Sequence, residues 1–159
     1  MQDQYHKKIA IVGAGVSGLL ACKQMAEKGL EPIVFEARGG VGGVWSATLE
    51  STKLQTPKDY YRFSDFAWPD SVEETFPDHN KVLDYLHSYA SHFNILSRIL
   101  FNTKVLNIQY CNDNIVHHDD LDLDSWDLWG GSGDPISPPA KWNVTVQDSR
   151  DPSAPTQVC

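Results

Sequence analysis

Ile9-Ala10-Ile11-Val12-Gly13-Ala14-Gly15-Val16-Ser17-Gly18, followed by a lone carboxylate at Glu36, is the stretch that decides the fold. Ile9 to Val12 is a compact apolar run, the kind that fits a strand buried on both faces. The glycine-rich turn opens into Val16 to Lys28, which reads as a helix with Leu19, Leu20, Met25 and Ala26 available to pack inward. Gly29 just past it suits a C-cap. Pro32 precedes Ile33-Val34-Phe35, a second short strand that ends at Glu36. Strand, helix and strand in so short a span form a βαβ unit, whose strands must run parallel.

Gly13 to Gly18 spells G-x-G-x-x-G. Alone the pattern is weak; here a strand precedes it, a helix follows it and an acidic residue stands about 20 positions on. Gly13 permits the tight turn, Gly15 lets backbone approach a pyrophosphate, and Gly18 lets the helix pack close to the sheet. Ala14, Val16 and Ser17 complete that turn. The helix N-terminus offers unpaired N–H groups and a positive dipole end to phosphates. Glu36 can accept both hydroxyls of a ribose and disfavours a 2′-phosphate. The bland reading is a glycine-rich turn that binds nothing, and the agreeing context weighs against it. The fingerprint does not separate FAD from NAD. Gly42-Gly43-Val44-Trp45 adds a second glycine pair close after Glu36. A second close backbone approach suits a ligand that continues past its pyrophosphate, as FAD does; an ordinary loop is the alternative.

Beyond this unit, Trp45 to Pro77 is irregular and rich in aromatics and prolines. A loop of that length is usually functional or disordered, and the aromatics argue against disorder. Asp78 can cap a helix running to about Phe93, with Val82, Leu83, Leu86, Tyr89, Ala90 and Phe93 on one face. Ile99 to Phe101, Val105 to Tyr110 and Lys141 to Gln147 read as strands. Cys111 to Ala140 is a polar, acidic insert with two tryptophans and three prolines, read as an exposed hairpin loop. The terminal Thr156-Gln157-Val158-Cys159 looks cut inside or just before a strand. The expected fold class is therefore α/β: a Rossmann-like βαβ half over 8–45, a helical segment and a small antiparallel hairpin or meander, incomplete at the C-terminus. The whole of 1–159 is expected to be one partial dinucleotide-binding domain.

Composition narrows the function. Lys and Arg number 13 against 21 Asp and Glu, a formal charge of −8, and an acidic chain repels nucleic-acid phosphates. Three scattered cysteines without a CxxC pair indicate neither a disulfide framework nor a zinc site. A reducing, cytoplasmic setting follows, with no signal peptide and no apolar run of membrane-spanning length. No metal is expected: His117-His118-Asp119-Asp120 are adjacent loop residues without ligand geometry. Asn143-Val144-Thr145 matches a glycosylation sequon by coincidence, within a strand. His87 and His92 read as structural, and Cys22 as a small buried apolar residue. Tyr60, Tyr61, Phe63, Phe66 and Trp68 either shield a bound ring system or fill core, and both readings stay open.

Several ordered motifs together resemble the flavin-containing monooxygenases, and their plant branch in particular. Glu36 through Trp45 is similar to the family's E-x5-G-G-x-W stretch. Ser64-Asp65-Phe66-Ala67-Trp68-Pro69, Phe76-Pro77, the helix Tyr85-Leu86-His87-Ser88-Tyr89-Ala90-Ser91-His92-Phe93 and Phe101-Asn102-Thr103-Lys104-Val105 resemble further family segments. The match covers nearly all of Lys8 to Gln147 except the insert. The resemblance implies an FAD domain interrupted by a smaller NADPH domain, and oxygen transfer to small nitrogen- or sulfur-containing or related metabolites. It implies that Gly13, Gly15 and Gly18 hold the pyrophosphate, Glu36 the ribose, and Gly43, Val44 and Trp45 the flavin side. It also implies that Gln55 and Thr56 lie beside the flavin, and that Val105 meets adenine through its backbone. Gln55 stands where animal members carry an Asn linked to oxygen chemistry; its amide can still donate and accept. The family's second G-x-G-x-x-[GA] and its F-x-G-x-x-x-H-x-x-x-[YF] signature are missing here, so the NADPH domain is expected to be absent from this chain. Two other readings remain: a non-catalytic FAD-binding or interaction fragment, completed by a partner chain or not, and a dinucleotide-dependent dehydrogenase. An open sheet edge is expected to weaken stability and invite aggregation.

Overall fold

The computed structural model describes residues 8–111 and 141–158. It begins with the βαβ unit. Strand β1 (Lys8–Val12) leads through the glycine turn into helix α1 (Val16–Glu27) and back along β2 (Glu31–Phe35), which pairs parallel with β1 from Lys8↔Glu31 to Val12↔Phe35. The helix stops as the sequence indicates. Gly29 takes a left-handed φ of +77°, and the N–H of Leu30 reaches back to the carbonyl of Met25. That is the geometry by which a residue without Cβ ends a helix.

Helix α2 (His79–His92) is capped by Asp78, whose carboxylate accepts from the Lys81 N–H at 3.1 Å. Its far end closes through Asn94 at φ 54°, with the Ile95 N–H bonded to the Ala90 carbonyl at 2.8 Å. The chain then turns into β3 (Ile99–Leu100), which joins the other side of β2 in parallel. The first sheet is thus ordered β1-β2-β3. The short strand after α2 is therefore a crossover strand of the parallel sheet, not part of the hairpin that follows. Strands β4 (Thr103–Cys111) and β5 (Lys141–Asp148) pair antiparallel, and β6 (Gln157–Val158) adds to β5. The α/β class, with a parallel βαβ half and an antiparallel meander, is as the sequence indicates. Residues 112–140, which hold most of the insert and the His117–Asp120 cluster, lie outside the described residues.

The larger core cluster lies under α1 and α2. Leu19, Cys22 and Val34 meet Val82, Tyr85, Leu86, Tyr89 and Ala90, all buried. Two inward assignments change. Leu20 is exposed and Lys23 takes its place at the interface, while Tyr85, absent from the expected face of α2, is almost wholly buried. Lys23 is tolerated there because its ammonium is bonded to both Glu27 and Asp65 and lies 4.7 Å from the Phe93 ring centre. A smaller cluster, Phe35 with Val144 and Val146, fastens the meander to β2.

The long segment between Trp45 and Pro77 is anchored rather than loose. The Trp68 indole N–H is shared by the carbonyls of Lys58 (2.9 Å) and Tyr61 (2.8 Å). The Tyr85 hydroxyl accepts from the Phe63 N–H at 2.8 Å and donates to the Phe66 carbonyl at 2.7 Å. Trp68 stacks on Tyr85 at 4.2 Å and Phe63 on Tyr89 at 3.7 Å. Each ring buries large apolar area, and the polar tips of Trp68 and Tyr85 hold backbone groups of the segment in place.

Candidate functional site

The site lies at the carboxyl ends of β1 and β2, where open α/β sheets bind ligands. Helix α1 begins at Gly15 with no side-chain cap and no acidic residue in its first turn. Among the described residues no side chain caps its first N–H groups, which form the positive end of the helix dipole. Gly18 is required for this turn to exist. A Cβ there would lie 1.9 Å from the Gly13 carbonyl oxygen, a backbone atom that cannot step aside.

The second glycine pair comes back onto the first. The Gly42 N–H donates to the Ala14 carbonyl at 3.0 Å, and a Cβ on Gly43 would lie 3.0 Å from the Gly15 Cα. Two stretches of bare backbone thus line one place, and Gly43 holds φ +57° there. After it, Gly43–Ala47 makes a short 3-10 turn. Val44 is exposed on that turn, and the half-buried Trp45 donates its indole N–H to the Tyr61 hydroxyl at 2.6 Å.

Glu36 is buried at the end of β2, and each carboxylate oxygen takes one backbone N–H: Ala14 at 2.6 Å and Arg38 at 2.8 Å. Its position pins the glycine turn to the strand end. A carboxylate oxygen carries two lone pairs, so each retains acceptor capacity after one bond. Arg38, which the sequence reading passed over, extends its guanidinium along the same loop to the Gly43 carbonyl (2.8 Å) and the Ser46 hydroxyl (2.9 Å). A cation two residues after the carboxylate, inside a glycine-rich loop, was the available signal.

Gly13, Ala14, Gly15, Val16, Ser17, Gly18, Glu36 and Gly43 therefore form one contiguous locus, with Val44 and Trp45 at its rim. Gln55 and Thr56 are exposed on the segment just after buried Leu54. Val105 sits in β4 beside a β-bulge, two residues after Thr103, whose N–H bonds to the Glu36 carbonyl at 2.8 Å. The aromatic segment divides: Phe63 and Trp68 are core, and Tyr60 is exposed. A cavity of about 140 Å3 adjoins the start of α1, lined by Val16, Tyr60, Tyr61, Arg62, Phe63, Tyr85 and Leu86. Burial pushes the Tyr61 and Tyr85 phenols above their ordinary value, so both stay protonated, Tyr61 accepting from Trp45 and Tyr85 donating to Phe66. Among the described residues, no group of three or more His, Cys, Asp or Glu is arranged to hold a metal, and no helix is long and apolar enough to cross a membrane.

The donor set fits a dinucleotide. The Gly13–Gly18 turn and uncapped helix end suit a pyrophosphate, and the carboxylate suits a ribose. Residues 6–119 match the family model described as flavin-binding monooxygenase-like. A flavin-containing monooxygenase 2 of Arabidopsis thaliana is 49% identical over 107 residues, covering 67% of this chain and 23% of that protein. Flavin-containing monooxygenase 1 of Homo sapiens is 38% identical over 120 residues, covering 69% of this chain and 22% of that protein. Among solved structures, an oxidised steroid monooxygenase bound to NADP superposes with a TM-score of 0.57 at 28% identity, over 64% of this chain and 20% of that one. The chain thus spans less than a quarter of the length of these relatives. With the glycine locus, the carboxylate and the matched family model in agreement, the chain belongs to the flavin-binding monooxygenase-like family.

Proposed function

We propose that residues 1–159 form part of the FAD-binding domain of an NADPH-dependent flavin monooxygenase that acts in the cytoplasm on small nitrogen- or sulfur-containing or related metabolites. The observation that carries this reading is the meeting of Gly13–Gly18 with Gly42–Gly43 beside the Glu36 carboxylate. The α1 N–H groups and the Gly13–Gly18 turn would hold the pyrophosphate. Glu36 would take the adenosine ribose, with Val105 near adenine. Gly43, Val44, Trp45, Gln55 and Thr56 would lie toward the ring system. When bound, the flavin supplies the redox and oxygen-transfer chemistry, and the protein binds, orients and shields it. Gln55 would be the residue of this chain that offers an amide to that chemistry.

The test is the visible absorption spectrum of the purified chain, with FAD titrated if it is colourless. A structured flavin spectrum, lost in Glu36→Ala, is expected. Failure to bind at high FAD overturns the reading for this chain.

A further inference from the structure

Arg38 has two attachments of different kinds. Its backbone is held between the Glu36 carboxylate, which accepts its N–H at 2.8 Å, and the β3–β4 turn, where the Asn102 N–H donates to its carbonyl at 3.0 Å. Its side chain reaches the other way, with one guanidinium nitrogen donating to both the Gly43 carbonyl and the Ser46 hydroxyl. Ser46 in turn donates to the same Gly43 carbonyl at 2.8 Å. The 3-10 turn that follows has no side-chain cap at Gly42. Arg38 and Ser46 thus both donate to the carbonyl of a residue in left-handed backbone that lies against Gly15, next to the Gly42–Ala14 backbone bond that joins the two turns.

We propose that Arg38 is a positioning residue that clamps the second glycine turn onto the first and so presets the flavin-side wall of the site. This rests on the FAD reading above for the identity of the ligand, but not for the clamp itself. A charge-assisted donor on a rigid planar group fixes direction as well as distance, which a lysine ammonium on a free stem does not. The adenosine half of the site depends on the Glu36 carboxylate and the α1 terminus, neither of which needs the guanidinium. Arg38 therefore separates the two halves of a long ligand: the flavin half depends on it and the ADP half does not.

The experiment compares the wild-type chain with Arg38→Ala and Arg38→Lys. Amide exchange is read at Gly42 and Trp45 in ligand-free protein, and FAD and ADP are titrated separately. In Arg38→Ala, exchange at those two amides is expected to quicken about tenfold, roughly the loss of one charge-assisted hydrogen bond. FAD affinity falls by a similar factor while ADP affinity stays within about twofold. Arg38→Lys recovers little of either, because a compact ammonium on a free stem does not fix the direction of the donor as a planar guanidinium does. Unchanged exchange in Arg38→Ala, or equal losses for FAD and ADP, overturns the proposal. Quickened exchange in a chain whose wild type binds ADP but no FAD supports the clamp and sinks the flavin reading instead.

Discussion

Single atoms decide much of this site. Gly18→Ala would place a methyl 1.9 Å from the Gly13 carbonyl oxygen, so either the turn or the helix must move. A loss of about 3 kcal/mol or more, at the severe end of overpacking, is expected in denaturant unfolding. Gly43→Ala is milder. It meets the Gly15 Cα at 3.0 Å and forces an L-residue to φ +57°, costing about 1–2 kcal/mol. Its larger effect should appear as weakened FAD binding in the same titration. Tyr89 offers the opposite case. Among the described residues its buried hydroxyl finds no hydrogen-bond partner, and burial pushes its pKa up to about 12. Tyr89→Phe removes a desolvated polar atom and keeps the ring stacked on Phe63, so stability should hold or rise by about 1 kcal/mol. A fall in melting temperature would show that the hydroxyl has a partner in solution.

At the scale of elements, α1 is tied to the aromatic segment by one buried cation. The Lys23 ammonium, bonded to Asp65, holds that carboxyl below the ordinary carboxylate value. A carboxyl whose folded pKa is depressed contributes stability above its unfolded value, near 4, and loses it as pH falls through the folded value. Lys23 is shifted the other way, upward, mainly by its bond to Asp65, so its share fades only in strong alkali. Lys23→Met keeps the stem that packs in the core and removes the charge. The melting temperatures of wild type and variant should therefore differ most near neutral pH and converge from about pH 4 downward. A constant difference across that range would place the effect in packing alone. The same tie shows why the stretch from Trp45 to Pro77 reads as a loop yet is ordered. Its partners are Tyr85, Tyr89 and Lys23, each distant in sequence, and no local period announces them.

For the whole molecule, β2 is covered on both sides and β1 is not. Among the described residues no strand pairs with β1 on the side away from β2, and Val12 at its end is 56% exposed. Unpaired strand edges template association. The chain should therefore gain mass with concentration in sedimentation experiments, and Val12→Lys should reduce that gain. Equal association in both proteins would exonerate the edge.

What the sequence determined by itself was local. The period of the apolar residues, the glycine turn and the carboxylate at Glu36 specify a parallel βαβ unit and its uncapped helix start, because each is a short-range steric or hydrogen-bonding requirement. The caps at Asp78 and Gly29 were legible for the same reason. Only the tertiary structure decided that Gly43 rests on Gly15, that Lys23 rather than Leu20 turns inward, and that Ile99–Leu100 joins the parallel sheet. It alone showed that Arg38 bridges two loops. These are contacts between residues brought together by packing, and their energy depends on which partner each side chain finds across the core, which no spacing along the chain encodes.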